Sequence, residues 1–155
     1  MLFEENCVVT DQKLPPPPLI LLVEDNEDDT LLIKRSFARS GVRHKIHSIN
    51  SGMEAISYLQ GELPFDDRQK YPIPDLILLD IKMPAVDGFD VLRWIRQRPE
   101  FARLRVVMLT SSDEIRDVNL AYKLGANSFL VKPLDFWNAA ELARSMERLL
   151  SRVNQ

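Results

Sequence analysis

The chain has 155 residues, 45% of them apolar, which suits one domain with a buried core and leaves too little length for two. Its net charge of −3, with Lys and Arg scattered along the chain, excludes the basic stripe of a nucleic-acid-binding protein. The single cysteine, Cys7, excludes an internal disulfide, and no apolar run reaches the ~20 residues of a membrane-spanning helix. We expect a cytoplasmic protein that binds neither nucleic acid nor membrane.

Residues 1–18 are predicted to form a flexible tail. They show no clear period and end in four prolines, Pro15 to Pro18, which stiffen the chain locally. Their apolar content is too low to offset the entropy that ordering would cost. We predict that the folded domain covers residues 19–153. Because only a few residues follow the last predicted helix, we expect no separate output domain.

Short apolar segments alternate with longer amphipathic ones after the tail, as in repeated strand-then-helix units. The predicted strands cover residues 19–24, 45–49, 75–80, 105–110 and 127–132. The first, third and fourth contain runs of consecutive apolar residues, so helices must cover both of their faces, as in the central strands of a parallel sheet. The second strand is more mixed and suits an edge.

Residues that begin or end helices separate these strands. The expected helix stops are Gly41, Gly61 and Gly125, and the expected N-caps are Ser51, Asp87 and Asp135. The last helix is the clearest, because apolar residues between 136 and 153 recur at near-helical spacing. We predict a doubly wound α/β fold, with a five-stranded parallel sheet in the flavodoxin-like order 2-1-3-4-5 and helices on both faces.

Residues 61–74 interrupt this regular alternation. The segment is long for a helix-to-strand connection, and it contains Pro64, Asp66, Asp67, Pro72 and Pro74. We expect it to project from the domain as an inserted loop.

Polar residues gather where the strands end. Glu24 ends the first predicted strand and Asp25 follows it, and the third, fourth and fifth end in Asp80, Thr110 and Lys132. In a doubly wound sheet such ends converge on the ligand site. Three clustered carboxylates repel one another, which a hard divalent cation relieves, and Mg²⁺ fits best because it keeps waters and phosphate oxygens among its ligands. Asp80 can then attack phosphorus and form an aspartyl phosphate, with Lys132 and Thr110 supplying a cation and a hydroxyl.

Each of these residues taken singly has a simpler explanation. An acid at a strand end is more often a helix cap or a solvated loop residue, a lysine there is more often a surface charge, and a threonine a turn hydroxyl. The functional interpretation depends on all five residues falling at the same end of the strands.

The same residues stand in motifs that together resemble the receiver domains of two-component response regulators, over residues 19–150. These motifs are Val23-Glu24-Asp25-Asn26, Leu79-Asp80-Ile81-Lys82-Met83-Pro84, Asp87-Gly88, Thr110-Ser111 and Lys132-Pro133. The combination is specific, although each short motif alone is common.

The resemblance implies a role for each site residue. The implied Mg²⁺ ligands are Glu24, Asp25, Asp80 and the backbone carbonyl of Lys82, and Asp80 is also the implied phosphoacceptor. Thr110 and Lys132 would bind the phosphoryl group, and Thr110 and Phe129 would be the switch residues. The family also implies a cis bond between Lys132 and Pro133.

The resemblance extends to partners. The long 61–74 segment, residues 135–137 and the single-domain build resemble receivers that partner bacterial phytochrome histidine kinases. That match implies a sensor histidine kinase as phosphodonor, a homodimer in preference to a monomer, and an unknown downstream protein. The fourth helix, fifth strand and fifth helix would form the surface that changes. We expect a phosphoacceptor switch and not an enzyme with a separate substrate.

Some features leave alternatives open. The Lys82 side chain either touches the phosphoryl group and tunes its lifetime, or it is a solvated loop lysine. Phe136 and Trp137 either pack in the core or form a subunit contact. His44 and His47 lack other metal ligands nearby, so we expect them to be structural or solvent-facing.

Three other protein classes use related folds. A phosphatase of the haloacid-dehalogenase type needs a second acid two residues after its nucleophile, where Lys82 stands. A Rossmann nucleotide binder needs a glycine-rich turn after the first strand, where the acids of Glu24-Asp25-Asn26-Glu27 would repel a pyrophosphate. A phosphorylation-independent pseudo-receiver adaptor is the remaining alternative, and the intact set of site residues disfavours it.

Overall fold

The computed structural model describes residues 14–111, 115–132 and 139–151. Within these ranges the strands are β1 (Leu19–Val23), β2 (Lys45–Ile49), β3 (Leu76–Asp80), β4 (Arg105–Thr110) and β5 (Ser128–Val131). The helices are α1 (Glu27–Ser40), α2 (Gly52–Gln60), α3 (Gly88–Arg96), α4 (Ile115–Lys123) and α5 (Ala139–Ser151), with a 3₁₀ turn at Pro99–Phe101. Of the predicted tail, residues 14–18 contain neither helix nor strand, and residues 1–13 lie outside the described ranges.

The five strands form one parallel sheet in the order β2-β1-β3-β4-β5, which confirms the predicted topology. The register aligns the carboxyl ends of the central strands. Val23 of β1 lies beside Ile49 of β2 and Leu79 of β3, and Asp80 of β3 lies beside Leu109 of β4. Residues that follow these strands therefore emerge at the same edge of the sheet.

Helices cover the sheet on both faces, as the consecutive apolar residues of β1, β3 and β4 predict. Successive side chains of a strand point to opposite faces. On one face, Leu21, Ile77 and Met108 belong to a core shared with α2, α3 and α4. On the other face, neighbouring strand residues such as Leu22 and Leu78 pack with α1 and α5. No helix in the described ranges has both the length and the apolar content needed to cross a bilayer.

The predicted helix boundaries follow from capping residues. Gly41 and Gly61 end α1 and α2 with φ angles of 75° and 72°, in the left-handed region that glycine adopts without strain. The Ser51 side chain accepts a hydrogen bond from the Glu54 N–H at the start of α2. Asp87 and Asp90 form a reciprocal capping box at the start of α3. The predicted cap at Asp135 lies outside the described residues.

The 61–74 segment is held against the domain by a few of its residues, while most of the others are exposed. The Arg68 guanidinium donates hydrogen bonds to the carbonyls of Tyr58, Leu59 and Tyr71, at 2.8 to 3.1 Å. Phe65 is buried in the core, and its ring centroid lies 5.1 Å from that of Tyr58. The prolines and acids of the segment predict solvent exposure, but its aromatic residues and one arginine bind it to α2.

Candidate functional site

An acid cluster, made of Glu24, Asp25 and Asp80, lies at the carboxyl edge of the sheet. One carboxylate oxygen from each of the three residues lies within 4.8 Å of the other two. The Glu24 N–H donates to the Ile49 carbonyl at 3.1 Å, which fixes the chain as it leaves β1. The structure thus brings together the three acids that the sequence predicts as metal ligands.

Burial governs the charge of the acid cluster. The side chains of Glu24 and Asp80 are only 1% and 7% exposed, whereas Asp25 is exposed. Burial and the neighbouring Asp80 carboxyl raise the pKa of Glu24 to about 8, against the opposing effect of Lys132. Burial also raises the pKa of Asp80, against the opposing effects of Glu24 and Lys132. At neutral pH the cluster therefore retains a proton unless another cation replaces it.

The acid cluster fits a small divalent cation. All its donor atoms are carboxylate oxygens, which hard cations prefer. The buried Oε2 of Glu24 has no hydrogen-bond partner among the described residues, so one oxygen inside the cluster is still available as a ligand. Because Asp25 is exposed, the cluster is open to solvent on one side, where a cation could keep water ligands.

Lys132 reaches the acid cluster from the end of β5. Its backbone N–H donates to the Thr110 carbonyl at 2.7 Å, which holds it at the same edge of the sheet. Its Nζ lies 2.9 Å from Oε1 of Glu24, 3.0 Å from Oδ2 of Asp29 and 3.6 Å from Oδ1 of Asp80. Burial lowers the pKa of Lys132, but the carboxylates around it raise the pKa more, so the ammonium stays charged.

Thr110 and Phe129 lie close to this edge on neighbouring strands. Thr110 is the last residue of β4, is buried, and pairs in register with Val131 of β5. Phe129 is partly buried and packs against the core on the side of α2, α3 and α4. Its ring centroid lies 6.0 Å from that of Tyr122 in an edge-to-face arrangement. Both residues stand where the resemblance requires them, and their switch roles stay predictions.

The loop after Asp80 turns back sharply toward β3. The Gly88 N–H donates to the Ile81 carbonyl at 2.9 Å, and a Cβ at Gly88 would clash with the Asp80 carbonyl oxygen. This close approach explains the glycine of the Asp87-Gly88 motif. Lys82 itself is exposed, while its backbone N–H donates a hydrogen bond toward Asp80 that lowers the pKa of that carboxyl. Whether the Lys82 carbonyl binds a cation stays a prediction.

Asp29 is the site residue that the sequence analysis missed. It lies in the first turn of α1, where Glu27, Asp28 and Asp29 follow one another, and of these it is the one bonded to Lys132. The run of three acids is an ordinary pattern for a helix start. A helical projection combined with the predicted strand ends is the signal that could have separated Asp29 from its neighbours.

The remaining predicted residues divide into two groups. His44 and His47 contact aromatic rings, with centroid distances of 5.3 Å from His44 to Phe37 and 6.2 Å from His47 to Tyr71, in line with structural roles. Burial lowers the pKa of His47. The other group is residues 133–138, so the predicted cis bond before Pro133 and the roles of Phe136 and Trp137 lie outside the described residues.

Comparisons with known proteins agree with this geometry. Residues 20–144 match the model of the response regulator receiver domain. The response regulator Rcp1 of Synechocystis sp. is 34% identical to this chain over 116 residues, which are 75% of this chain and 77% of Rcp1. The family that the motifs resemble is therefore confirmed.

Solved structures extend the comparison. The response regulator RPA3017, described in red light signalling of R. palustris, is 32% identical, covers 85% of this chain and 90% of its own, and has a TM-score of 0.74. The Mn(2+)-bound form of Rcp1 is 34% identical, with coverage of 84% and 92% and a TM-score of 0.71. The phosphorylated cyanobacterial phytochrome response regulator RcpA is 35% identical, with coverage of 88% and 96% and a TM-score of 0.73.

Proposed function

Since the chain belongs to the response-regulator receiver family of two-component signalling, we propose that Asp80 accepts a phosphoryl group from the phosphohistidine of a sensor histidine kinase. One observation supports this most strongly. The Asp80 carboxylate lies 3.6 Å from the Lys132 ammonium and within 4.8 Å of carboxylate oxygens of Glu24 and Asp25. An Asp80 oxygen would attack phosphorus while the P–N bond breaks, and the histidine nitrogen would keep the electron pair.

We assign Mg²⁺ as the cofactor of this reaction. Glu24, Asp25 and Asp80 would hold it through the oxygens that already lie together, and the Lys82 backbone carbonyl would add a further ligand. When bound, Mg²⁺ neutralises the charge of the carboxylates and of the phosphoryl oxygens. The Mn(2+)-bound form of Rcp1 supports a divalent cation in a similar protein.

Lys132 and Thr110 would receive the phosphoryl group on Asp80. The Lys132 ammonium needs only a short movement from its 3.6 Å separation, and Thr110 ends the neighbouring strand with its side chain buried. A change in Thr110 and Phe129 would alter the surface formed by α4, β5 and α5. To move such a switch from 1:99 to 99:1, phosphorylation must favour the active state by ~5.5 kcal/mol, which several charge-assisted hydrogen bonds can supply.

The partners that we propose follow from the similar proteins. RPA3017 belongs to red light signalling, and RcpA is a phytochrome response regulator, so a phytochrome-type histidine kinase is the phosphodonor that we infer. The chain would act in the cytoplasm as a phosphoacceptor switch, without a substrate of its own. It would signal through protein contacts, in a homodimer or with a downstream protein.

Phosphoryl uptake from a small donor such as acetyl phosphate tests the proposal without a kinase. Wild type and Asp80→Asn are incubated with the donor and Mg²⁺, and covalent phosphate is read by intact-protein mass spectrometry. Wild type should gain one phosphoryl group, Asp80→Asn should gain none, and EDTA should abolish the gain. Asp66→Asn is the matched control, because Asp66 is an exposed aspartate in the 61–74 segment.

Two outcomes would contradict the proposal. Equal uptake by wild type and Asp80→Asn would show that the acceptor is another residue. If wild type took up no phosphate from the small donor or from a phytochrome-type kinase, and Mg²⁺ left its spectrum unchanged, the pseudo-receiver adaptor would be the better description.

A further inference from the structure

Lys132 is shared among three acids, and one of them lies outside the acid cluster. An ammonium has three N–H donors. Two of them are used at 2.9 Å to Glu24 and 3.0 Å to Asp29, while Asp80 lies 3.6 Å away, beyond a good hydrogen bond. In this state Lys132 is therefore held by Glu24 and Asp29 more closely than by the residue that the proposed reaction modifies.

Asp29 is firmly placed for this contact. Its backbone N–H donates to the Asn26 side chain at 3.0 Å, the N-cap hydrogen bond that starts α1. Its side chain is 32% exposed, against 10% for the Lys132 side chain. The carboxylate therefore reaches from the rim of the site to a nearly buried ammonium, and the start of the helix fixes the direction of its approach.

The two close partners of Lys132 would behave differently during the proposed reaction. Glu24 is in the acid cluster, so a bound divalent cation would share its charge and weaken its hold on the ammonium. Asp29 is not in that cluster and keeps its carboxylate for Lys132. A phosphoryl group on Asp80, which lies 3.6 Å from the Lys132 ammonium, would draw that ammonium toward itself and weaken its bond to Asp29.

We propose that Asp29 is a positioning residue that holds the Lys132 ammonium back from Asp80 and competes with the phosphoryl group for it. This inference rests on the proposed function. It adds a residue that affects the equilibrium between the unphosphorylated and the phosphorylated arrangement. Asp29 favours the unphosphorylated arrangement, because its hydrogen bond to Lys132 is stronger there than in the phosphorylated one. Because the Asp29 side chain is one third exposed, solvent screens the pair and the effect is modest.

The test measures the affinity for a phosphoryl analogue. Wild type, Asp29→Asn and Asp28→Asn are titrated with beryllofluoride at saturating Mg²⁺, and binding is followed by the backbone amide signals in NMR spectra. Asp28→Asn is the matched control, because it removes the same charge from the same helical turn, where Asp28 is exposed. Asp29→Asn should bind beryllofluoride about 2-fold to 5-fold more tightly than wild type, the range of a screened ion pair. Asp28→Asn should change the affinity less than about 2-fold, as expected for an exposed charge that solvent and salt screen.

A second readout reports on Lys132 itself. The ¹H–¹⁵N signal of its side-chain ammonium should shift in Asp29→Asn and stay in place in Asp28→Asn, because Asp29 is the one of these two aspartates that bonds to it. If Asp29→Asn bound beryllofluoride no better than Asp28→Asn, or the ammonium signal did not move, the inference would be wrong while the proposed function stood. A wild type that binds no beryllofluoride would instead overturn the proposed function, and this inference with it.

Discussion

Lys132 and Arg68 are two partly buried cations whose hydrogen-bond acceptors differ in kind. Arg68 donates to the main-chain carbonyls of Tyr58, Leu59 and Tyr71, which do not titrate, and it joins the 61–74 segment to the end of α2. Lys132 donates to the carboxylates of Glu24 and Asp29, whose charges can be altered by a proton or a metal ion.

The two regions also differ in what they leave unpaired. Around Arg68, the buried hydroxyl of Tyr58 has its own acceptor, the Pro72 carbonyl at 2.9 Å. In the acid cluster, Oε2 of Glu24 has no hydrogen-bond partner among the described residues, and the Glu24 and Asp80 pKa values are raised. The first arrangement stabilises the fold at any pH. The second lowers stability while it keeps oxygens available for a cation and a phosphoryl group.

The pH dependence of stability is the largest expected difference between the regions. The folded state holds a proton on Glu24 up to about pH 8, whereas the unfolded chain releases it near the ordinary value of 4.5. The contribution of Glu24 to stability is therefore fully present below pH 4.5 and is lost as pH rises through 8. One proton gives a slope of at most about 1.4 kcal/mol per pH unit. Urea unfolding of wild type in EDTA, between pH 5.5 and 8, should show this decline, and Glu24→Gln should reduce it.

The control for that experiment is Glu27→Gln, which changes an exposed acid three residues after Glu24. It should leave the slope of the free energy of unfolding against pH as in wild type. Mg²⁺ adds a second measurement. A bound cation would replace the proton on Glu24, so Mg²⁺ should stabilise wild type more at pH 8 than at pH 6. Equal slopes for wild type and Glu24→Gln would mean that the acid cluster does not hold a proton near neutrality.

Truncation of Arg68 is expected to have the next largest effect. Arg68→Ala leaves the carbonyls of Tyr58, Leu59 and Tyr71 without their charged donor, and we expect a loss of about 2 kcal/mol in the free energy of unfolding. Because carbonyls do not titrate, the loss should be the same at pH 6 and pH 8. Urea unfolding at the two pH values measures both quantities.

Arg103→Ala provides the comparison. Arg103 is exposed, so its truncation should lower the free energy of unfolding by less than about 0.5 kcal/mol. An Arg68→Ala loss as small as that of Arg103→Ala would show that the 61–74 segment is held by its aromatic residues alone. Phosphoryl uptake on Asp80 should be unchanged in both variants.

The sequence predicts the elements that obey strong local rules. Runs of consecutive apolar residues identify β1, β3 and β4 as central strands, and the order of the sheet brings Glu24, Asp80 and Lys132 together at its edge. These positions follow from backbone topology, which a pattern of strand ends is enough to predict.

The sequence does not predict contacts that depend on the direction of one side chain. Three acids open α1, and the run of acids does not by itself show that Asp29 is the one that bonds to Lys132. The partners of Arg68 are main-chain carbonyls, which leave no signature in the sequence. For the same reason the 61–74 segment, rich in prolines and acids, was expected to project, although Phe65 fixes it in the core.

Removal of the Tyr58 hydroxyl should have the smallest effect, and it tests the same region without removing a charge. Tyr58 is fully buried, and burial raises its pKa to about 12, so its hydroxyl stays a donor to the Pro72 carbonyl throughout the usual pH range. Tyr58→Phe keeps the ring contacts and should lower the free energy of unfolding by about 1 kcal/mol, the net contribution of one hydrogen bond. Tyr122→Phe, at a tyrosine that is 48% exposed, should change it by less than about 0.5 kcal/mol in the same urea experiment. If the two variants were equally stable, the Arg68 region would depend on Arg68 and ring packing, and the Pro72 carbonyl would be satisfied by water once the hydroxyl is removed.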